Sequence, residues 1–119
     1  MTITDTFSKI CNLESIEMRA GEYFVIEITV TNENGSPADL SSGISRGISF
    51  AYYGLYDELL YKSGTISGAG NNVMTCNLEE ADTEDWIPGK ILYQPIFVDS
   101  NNKPFKPGQG IITLLPAIR

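Results

Sequence analysis

The clearest pattern along the chain is a strict alternation of apolar and other residues between positions 22 and 31. The apolar positions fall on one side of an extended chain, and they are Phe24, Ile26, Ile28 and Val30. A period of two residues is typical of a β-strand with one buried face. The following N32-E33-N34-G35-S36-P37 is rich in residues that favour turns, so the predicted strand ends there.

Six further segments have a weaker alternation or are rich in β-branched and aromatic residues: 13–19, 47–53, 55–61, 73–78, 90–99 and 109–115. Gly, Pro, Asn and Ser separate them. Short strands at near-regular spacing predict an all-β, antiparallel β-sandwich of about seven strands. With 119 residues the chain has the usual size of one domain. We therefore predict an N-terminal arm over 1–12 and a single sandwich domain over 13–119.

The stretch E79-E80-A81-D82-T83-E84-D85-W86-I87-P88-G89-K90 raises the question of a metal site, because it places five carboxylates within seven residues. Asn77 and Glu80 have the spacing of a helix N-cap and its N3 partner, and acids are favoured in a first turn. We predict a short helical turn near 79–86. Asp82, Glu84 and Asp85 offer oxygen ligands for calcium, but they diverge on a helical turn and lack the spacing of a calcium loop. We expect no metal there.

Charge narrows the possible partners. The formal net charge is −7, with 14 acids and four bases up to position 85 and one acid and four bases after it. Such a chain is repelled by phosphate backbones and anionic lipids, so we expect neither nucleic acid nor a membrane as partner. The N-terminal residues lack the plan of a signal peptide, which predicts synthesis in a cytoplasm. Cys11 and Cys76 are far apart and fit two reduced thiols.

The sequence provides little for catalysis. G43-I44-S45-R46-G47 matches the Gly-x-Ser-x-Gly pattern of a hydrolase, but the chain has no histidine to accept the proton of Ser45. The absence of histidine also removes the ordinary zinc, copper and haem sites. No feature singles out a buried pair of carboxylates. We therefore expect a protein that is not an enzyme and has no cofactor.

The segment A51-Y52-Y53-G54-L55-Y56-D57-E58-L59-L60-Y61 contains four of the six tyrosines and is apolar on both faces. Tyrosine is favoured at protein–protein contacts, where one end of the ring is buried and the other is wet. Core strands can also be apolar on both faces, so an interface and a core role remain about equally supported. The candidate interface residues are Tyr52, Tyr53, Tyr56, Leu60 and Tyr61.

Two segments carry a resemblance. Residues 17–40 run through an apolar residue, Gly21-Glu22, a strand, an Asn-rich turn and Asp39-Leu40. Residues 73–93 run through a strand, a Thr-containing turn, Pro88-Gly89-Lys90 and a strand that contains Tyr93. In order and spacing they resemble small bacteriophage virion modules similar to the N-terminal domain of baseplate upper proteins. The resemblance implies an immunoglobulin-like sandwich, with its short helix bridging the two sheets, and a structural part of a phage particle.

Two departures refine this expectation. Pro95 lies inside a predicted strand and cannot donate to a ladder, so the strand must be bulged or locally at an edge. The chain ends at Arg119 without a fibre or receptor-binding domain. We therefore expect an auxiliary or decoration capsid protein, or a small adaptor, that docks on capsid or tail subunits in a symmetric assembly. The alternative is a carbohydrate-binding or adhesive module in which Tyr53 or Trp86 stacks on sugars.

Overall fold

A computed structural model of the chain describes residues 2–8, 13–32, 35–41, 43–55, 57–106 and 108–117. These residues form a short helix, α1 (Glu80–Thr83), and the strands β1 (Thr2–Ser8), β2 (Ile16–Arg19), β3 (Phe24–Thr31), β4 (Ser45–Tyr52), β5 (Glu58–Ser63), β6 (Thr65–Ser67), β7 (Val73–Leu78), β8 (Gly89–Val98), β9 (Pro104–Phe105) and β10 (Gly110–Leu115).

The strands form two sheets that pack as a sandwich, so the predicted fold class is confirmed. One sheet has the order β1-β3-β7-β6, and the other has the order β2-β10-β8-β4-β5 with β9 paired to β8. Two pairings are parallel, β1 with β3 and β2 with β10, and the other pairings are antiparallel. The sequence pattern did not predict β1, β6 or β9.

The core lies between the sheets and uses the alternation read from the sequence. On β3 the four apolar positions from Phe24 to Val30 are at most 1% exposed, while the residues between them are half-buried. The opposite sheet contributes Ile48, Phe50, Tyr93 and Ile112, none of which is exposed. Each such side chain contributes about 1.5–3 kcal/mol through burial, so this interior supplies most of the driving force for folding.

Tyr93 and Gly110 pack against each other at the centre of the larger sheet. They are Cα partners on β8 and β10, and a Cβ atom at position 110 would come closer than 3.0 Å to three atoms of the Tyr93 ring. The Tyr93 hydroxyl donates a hydrogen bond to the backbone carbonyl of Glu14. Glycine is therefore required at position 110 because a tyrosine ring occupies the space of its side chain.

Helix α1 connects β7 of one sheet to β8 of the other, in agreement with the predicted turn near 79–86. Its N-cap is Glu79, whose backbone N–H donates to Asp82 Oδ2 at 2.8 Å. The prediction of Asn77 as N-cap is wrong, because the chain remains in β7 as far as Leu78, which pairs with Phe24. The helix therefore begins two residues later than the capping spacing indicated.

Two side-chain contacts tie α1 to the sandwich. Thr83 is fully buried, and its Oγ1 accepts a hydrogen bond from the backbone N–H of Gly21 at 2.9 Å. Lys62 on β5 forms an ion pair with Asp82, with 2.7 Å between Nζ and Oδ2. The short helix thus contacts the β2–β3 turn and the edge strand β5.

At Pro95 the strand β8 has a local edge, as expected. Its Cα partner is Ile48 on β4. On the other side of β8, β10 pairs only as far as Tyr93, and β9 begins to pair at Phe97. Among the described residues, the proline thus lies in the gap between two partner strands. No described strand lies opposite it there, so the sheet loses no hydrogen bond because proline lacks an N–H.

The chain passes from the larger sheet to the smaller one at Gly64. This residue separates β5 from β6, which end their respective sheets on the same side of the sandwich. Its backbone N–H donates to the carbonyl of Arg46 at 3.0 Å. A Cβ atom there would collide with Met74 and would approach Cys76 Sγ to 3.2 Å. The crossing therefore depends on a residue without a side chain.

Candidate interaction surface

The predicted interface residues lie in different environments. Tyr53 and Tyr61 are exposed, by 57% and 39%. Tyr52 and Leu60 are half-buried and pack against the core cluster. Leu60 is the Cα partner of the fully buried Phe50, so its side chain lies on the core side of β5. Tyr56 lies outside the described residues. The tyrosine-rich segment thus serves both the core and the surface.

Tyr61 lies over the outer face of the larger sheet. Its ring occupies the space that a side chain at Gly47 would take, and its Cα partner is Ser49 on β4. This position is separate from Tyr53, which lies in the turn after β4. The predicted residues therefore do not form one continuous exposed surface.

A second exposed group is clearer in the structure. Tyr53, Leu55 and Ile87 are 57%, 66% and 68% exposed, and we call them the Tyr53–Ile87 patch. Tyr53 and Leu55 lie in the β4–β5 turn, and Ile87 lies between α1 and β8. Two hydrogen bonds, each donated by a backbone N–H, connect these loops to neighbouring strand ends.

The first of these bonds runs from the backbone N–H of Ile87 to the hydroxyl of Tyr52 at 2.8 Å. The second runs from the backbone N–H of Tyr53 to the carbonyl of Lys90 at 3.0 Å. The Lys90 ammonium also lies 5.8 Å from the centre of the Tyr53 ring, within the range of a cation–π contact. These contacts hold the Ile87 loop against the end of β4 and the β4–β5 turn against the start of β8, so both loops lie at the same end of the sandwich.

Exposed acids flank the patch in both loops. Asp57 and Glu58 follow Leu55, and Glu84 and Asp85 precede Ile87. The Glu58 carboxylate accepts a hydrogen bond from the hydroxyl of Ser49 at 3.1 Å. Lys90, the second residue of β8, is a basic residue beside Tyr53. The patch is therefore apolar with a mainly acidic border.

The acidic stretch contains no assembled metal site in the part of the chain that the structure describes, since no three potential ligands converge. Partial burial favours a higher pKa for Asp82, but the Lys62 ammonium and the Glu79 backbone N–H outweigh it and hold the pKa of this carboxyl below its usual value. The Asp82 carboxylate therefore forms an ion pair with Lys62 and caps the first turn of α1. Glu84 and Asp85 are exposed.

The Gly-x-Ser-x-Gly segment lies at the opposite end of β4. Ser45 is the first residue of that strand, and the N–H of Ile44 donates to the carbonyl of Val98 at 2.7 Å. Ser45 lines a pocket of about 370 Å³ together with Phe97, Phe105 and Leu40. The segment leads into a strand and not into the helix that follows a nucleophile elbow.

The two aspartates that line this pocket accept hydrogen bonds from residues of their own loops. Asp39 Oδ1 accepts hydrogen bonds from the backbone N–H and the hydroxyl of Ser41, which lower its pKa. Asp99 Oδ1 accepts from the backbone N–H groups of Asn101 and Lys103, each at 2.9 Å. Both aspartates therefore act as turn residues.

Trp86 and Cys76 are structural. Trp86 is half-buried and packs on Phe50, with 5.7 Å between ring centroids, so its ring contributes to the core. Cys76 is fully buried, and burial raises the pKa of its thiol to about 12. A thiol with this pKa is unreactive at neutral pH. Cys11 lies outside the described residues. Helical structure within the described ranges is too short and polar to cross a bilayer.

Leu55 and Ile87 are not among the predicted interface residues. Leu55 follows Gly54 at the start of the predicted strand 55–61, whereas Ile87 precedes Pro88-Gly89 in a predicted connector. An apolar residue at such a position has no strand face to occupy, which is a signal for surface exposure. That the two lie in adjoining loops depends on the fold.

Comparisons with known proteins show what the fold is similar to. The N-terminal domain of phage TP901-1 ORF48 matches with a TM-score of 0.62 and 12% identity over 95% of both chains. CopC from Methylosinus trichosporium OB3b matches with a TM-score of 0.50 and 10% identity over 88% of this chain and 87% of that one. The cysteine protease inhibitor of Entamoeba histolytica has a TM-score of 0.49 and 11% identity over 96% and 95%.

These identities are low, so the likeness concerns the fold. No protein-family model matches the chain, and no curated protein does. The predicted resemblance to a small phage module is confirmed at the level of the fold, since the domain of a phage protein has the same architecture over nearly its whole length.

Proposed function

We propose that the chain is a non-enzymatic structural component of a bacteriophage particle that binds other virion proteins. The observation that carries this proposal is the common fold with the phage domain over 95% of both chains. The segments that resemble phage virion modules in sequence are also the ones that build this fold. Residues 17–40 and 73–93 meet where β3 pairs with β7 and where Gly21 contacts Thr83.

Within the described part of the chain no reactive centre is arranged, which supports a structural role. Every acid whose burial the structure describes is at least partly exposed, whereas catalytic carboxylates need burial or a charged neighbour to shift the pKa. The buried hydroxyl of Thr83 accepts a backbone N–H and the buried thiol of Cys76 is protonated. We assign the polar groups to folding and the exposed side chains to binding.

Within the particle we propose an auxiliary or decoration protein of the capsid, or a small adaptor, with exposed tyrosines such as Tyr53 and Tyr61 contributing to contacts. Its partners are capsid or tail subunits, and its surface charge makes a protein a better partner than nucleic acid or a lipid headgroup. The assembled virion is its place of function after synthesis in the host cytoplasm.

The test uses purified particles of the phage that encodes this chain. Particles are banded by density, washed at high salt and analysed by quantitative mass spectrometry, with heads and tails also separated. We expect the chain at a fixed ratio to the major capsid or tail protein. Recovery of the chain only among soluble lysate proteins would contradict a virion role. Recovery on tails alone would exclude the capsid version and retain the adaptor.

A further inference from the structure

The Tyr53–Ile87 patch combines exposure with order. Among the residues whose burial the structure describes, four large apolar side chains have more than half of their surface exposed, and three of them occur here, in two loops that are 32 residues apart in the chain. Isolated exposed apolar residues are ordinary, but a group at one place marks a binding site. The fourth such residue, Ile44, lies before the start of β4, at the other end of the strand.

The patch is held in place before any partner arrives. The backbone N–H of Ile87 donates to the hydroxyl of Tyr52 at the end of β4, and that of Tyr53 donates to the carbonyl of Lys90 at the start of β8. Trp86, next to Ile87, packs on Phe50 in the core. A surface ordered in advance loses little conformational entropy on binding. In protein–protein interfaces a few central apolar residues surrounded by a polar border often provide most of the binding energy, and the patch has this arrangement.

We propose that the Tyr53–Ile87 patch is the surface through which the chain docks on another virion protein, and that the partner presents apolar side chains bordered by Lys or Arg. The partner's chemistry follows from charge complementarity. Asp57 and Glu58 on one side and Glu84 and Asp85 on the other outnumber Lys90. Complementary charge at the border of an interface raises the association rate and rejects acidic surfaces. This inference rests on the proposed virion function.

The experiment compares particles that carry variants of the chain. Leu55→Ser with Ile87→Ser removes two anchors that are 66% and 68% exposed, and Ile44→Ser, at a residue 61% exposed, is the matched control. Position 44 lies roughly 30 Å along β4 from Tyr53. We expect at least a tenfold drop in copies per particle for the double variant and wild-type copies for the control. Circular dichroism and thermal melting establish that each purified variant is folded.

Charge is tested separately with Asp57→Lys combined with Asp85→Lys. Both residues are exposed, and reversal places positive charge against a basic border. We expect at least a threefold drop in copies per particle, with a partial return when assembly takes place at higher salt because salt screens the repulsion. Unchanged incorporation of this folded variant would overturn the assigned chemistry of the partner.

The outcomes separate the two proposals. Absence of the wild-type chain from particles contradicts the virion function itself. Presence of the wild type together with normal incorporation of folded Leu55→Ser, Ile87→Ser overturns the docking surface and leaves the virion function intact. Light scattering of the purified chain tests whether the patch binds a second copy of the same chain. If the wild type is a dimer and the double variant is a monomer, the patch is a dimer interface, and the assignment to another virion protein is overturned.

Discussion

Gly110 provides the most direct test of the packing. A methyl group at this position would meet Cε1, Cζ and the hydroxyl oxygen of the Tyr93 ring, which is fully buried and cannot rotate into solvent. The ring must move, and its hydrogen bond to the carbonyl of Glu14 is then lost. We therefore expect Gly110→Ala to be strongly destabilising, although the same substitution at an open strand position is usually harmless or favourable.

The magnitude follows from three contributions. Overpacking costs about 2 kcal/mol, and the lost hydrogen bond costs about 1 kcal/mol. Alanine also lowers the conformational entropy of the unfolded chain relative to glycine, which stabilises the folded state by about 0.5 kcal/mol. The net loss in the free energy of unfolding is about 2.5 kcal/mol, which lowers the urea midpoint by roughly 1.2 M for a denaturant dependence of about 2 kcal/mol/M.

The assay is urea unfolding followed by circular dichroism in three backgrounds. In Tyr93→Leu the ring atoms are gone, so Gly110→Ala should change stability by less than about 0.5 kcal/mol, as expected for residues that no longer interact. In Tyr93→Phe the atoms Cε1 and Cζ remain, and most of the loss should remain with them. An equal loss in the Leu background would refute the explanation, because the cost would then come from the backbone of β10 and not from the ring.

Two further predictions concern titrating groups. Because burial raises the pKa of Cys76 from about 9 to about 12 in the folded chain, the folded state holds one more proton than the unfolded state between these values. Stability should fall by about 1.4 kcal/mol per pH unit above pH 9, and the stability difference between wild type and Cys76→Ala, followed by urea unfolding, should shrink at this rate. A constant difference up to pH 11 would contradict it. Asp82 has a lowered pKa when folded, so its contribution is present above the unfolded value of about 4 and is lost as the pH falls. Asp82→Asn should lower the free energy of unfolding by about 1 kcal/mol at pH 7. Thermal unfolding should show that this loss of stability becomes smaller below pH 4. A loss of stability that does not depend on pH would argue against the ion pair with Lys62.

The sequence was informative where local pattern and tertiary role coincide. The period of two in 22–31 identified the buried face of β3, and the predicted strand 73–78 has the observed bounds of β7. Both strands lie inside the smaller sheet, where one face must be apolar. In such strands the alternation of residue types along the sequence directly indicates which side chains are buried.

The strands that the pattern missed depend on distant partners. β6 is a three-residue strand within a Gly- and Ser-rich connector, and β9 has two residues. β1 forms through parallel backbone pairing with β3, in which Thr2 is opposite Val25. Such pairing leaves little local signal because the hydrogen bonds are made by the backbone whatever the side chains are.

The sequence left an interface role and a core role open for all of the tyrosine-rich segment. In the structure Tyr53 is exposed, whereas Tyr52 and Leu60 are half-buried. The register of β4 against β5 decides which side each residue takes, and the pairing is irregular between Phe50 and Ala51. Ile87 joins Tyr53 only because α1 returns the chain to the end of β4.

The crossing at Gly64 affects how the two layers can come apart. On that side a single residue links the last strand of one layer to the last strand of the other, so the layers stay within a few ångströms of each other even after their side chains lose contact. On the far side the last strands of the two layers are β1, which ends at Ser8, and β2, which begins at Ile16, so no single-residue link holds them together. Partial opening of this protein should therefore begin along the margin formed by β1 and β2 and admit water from there.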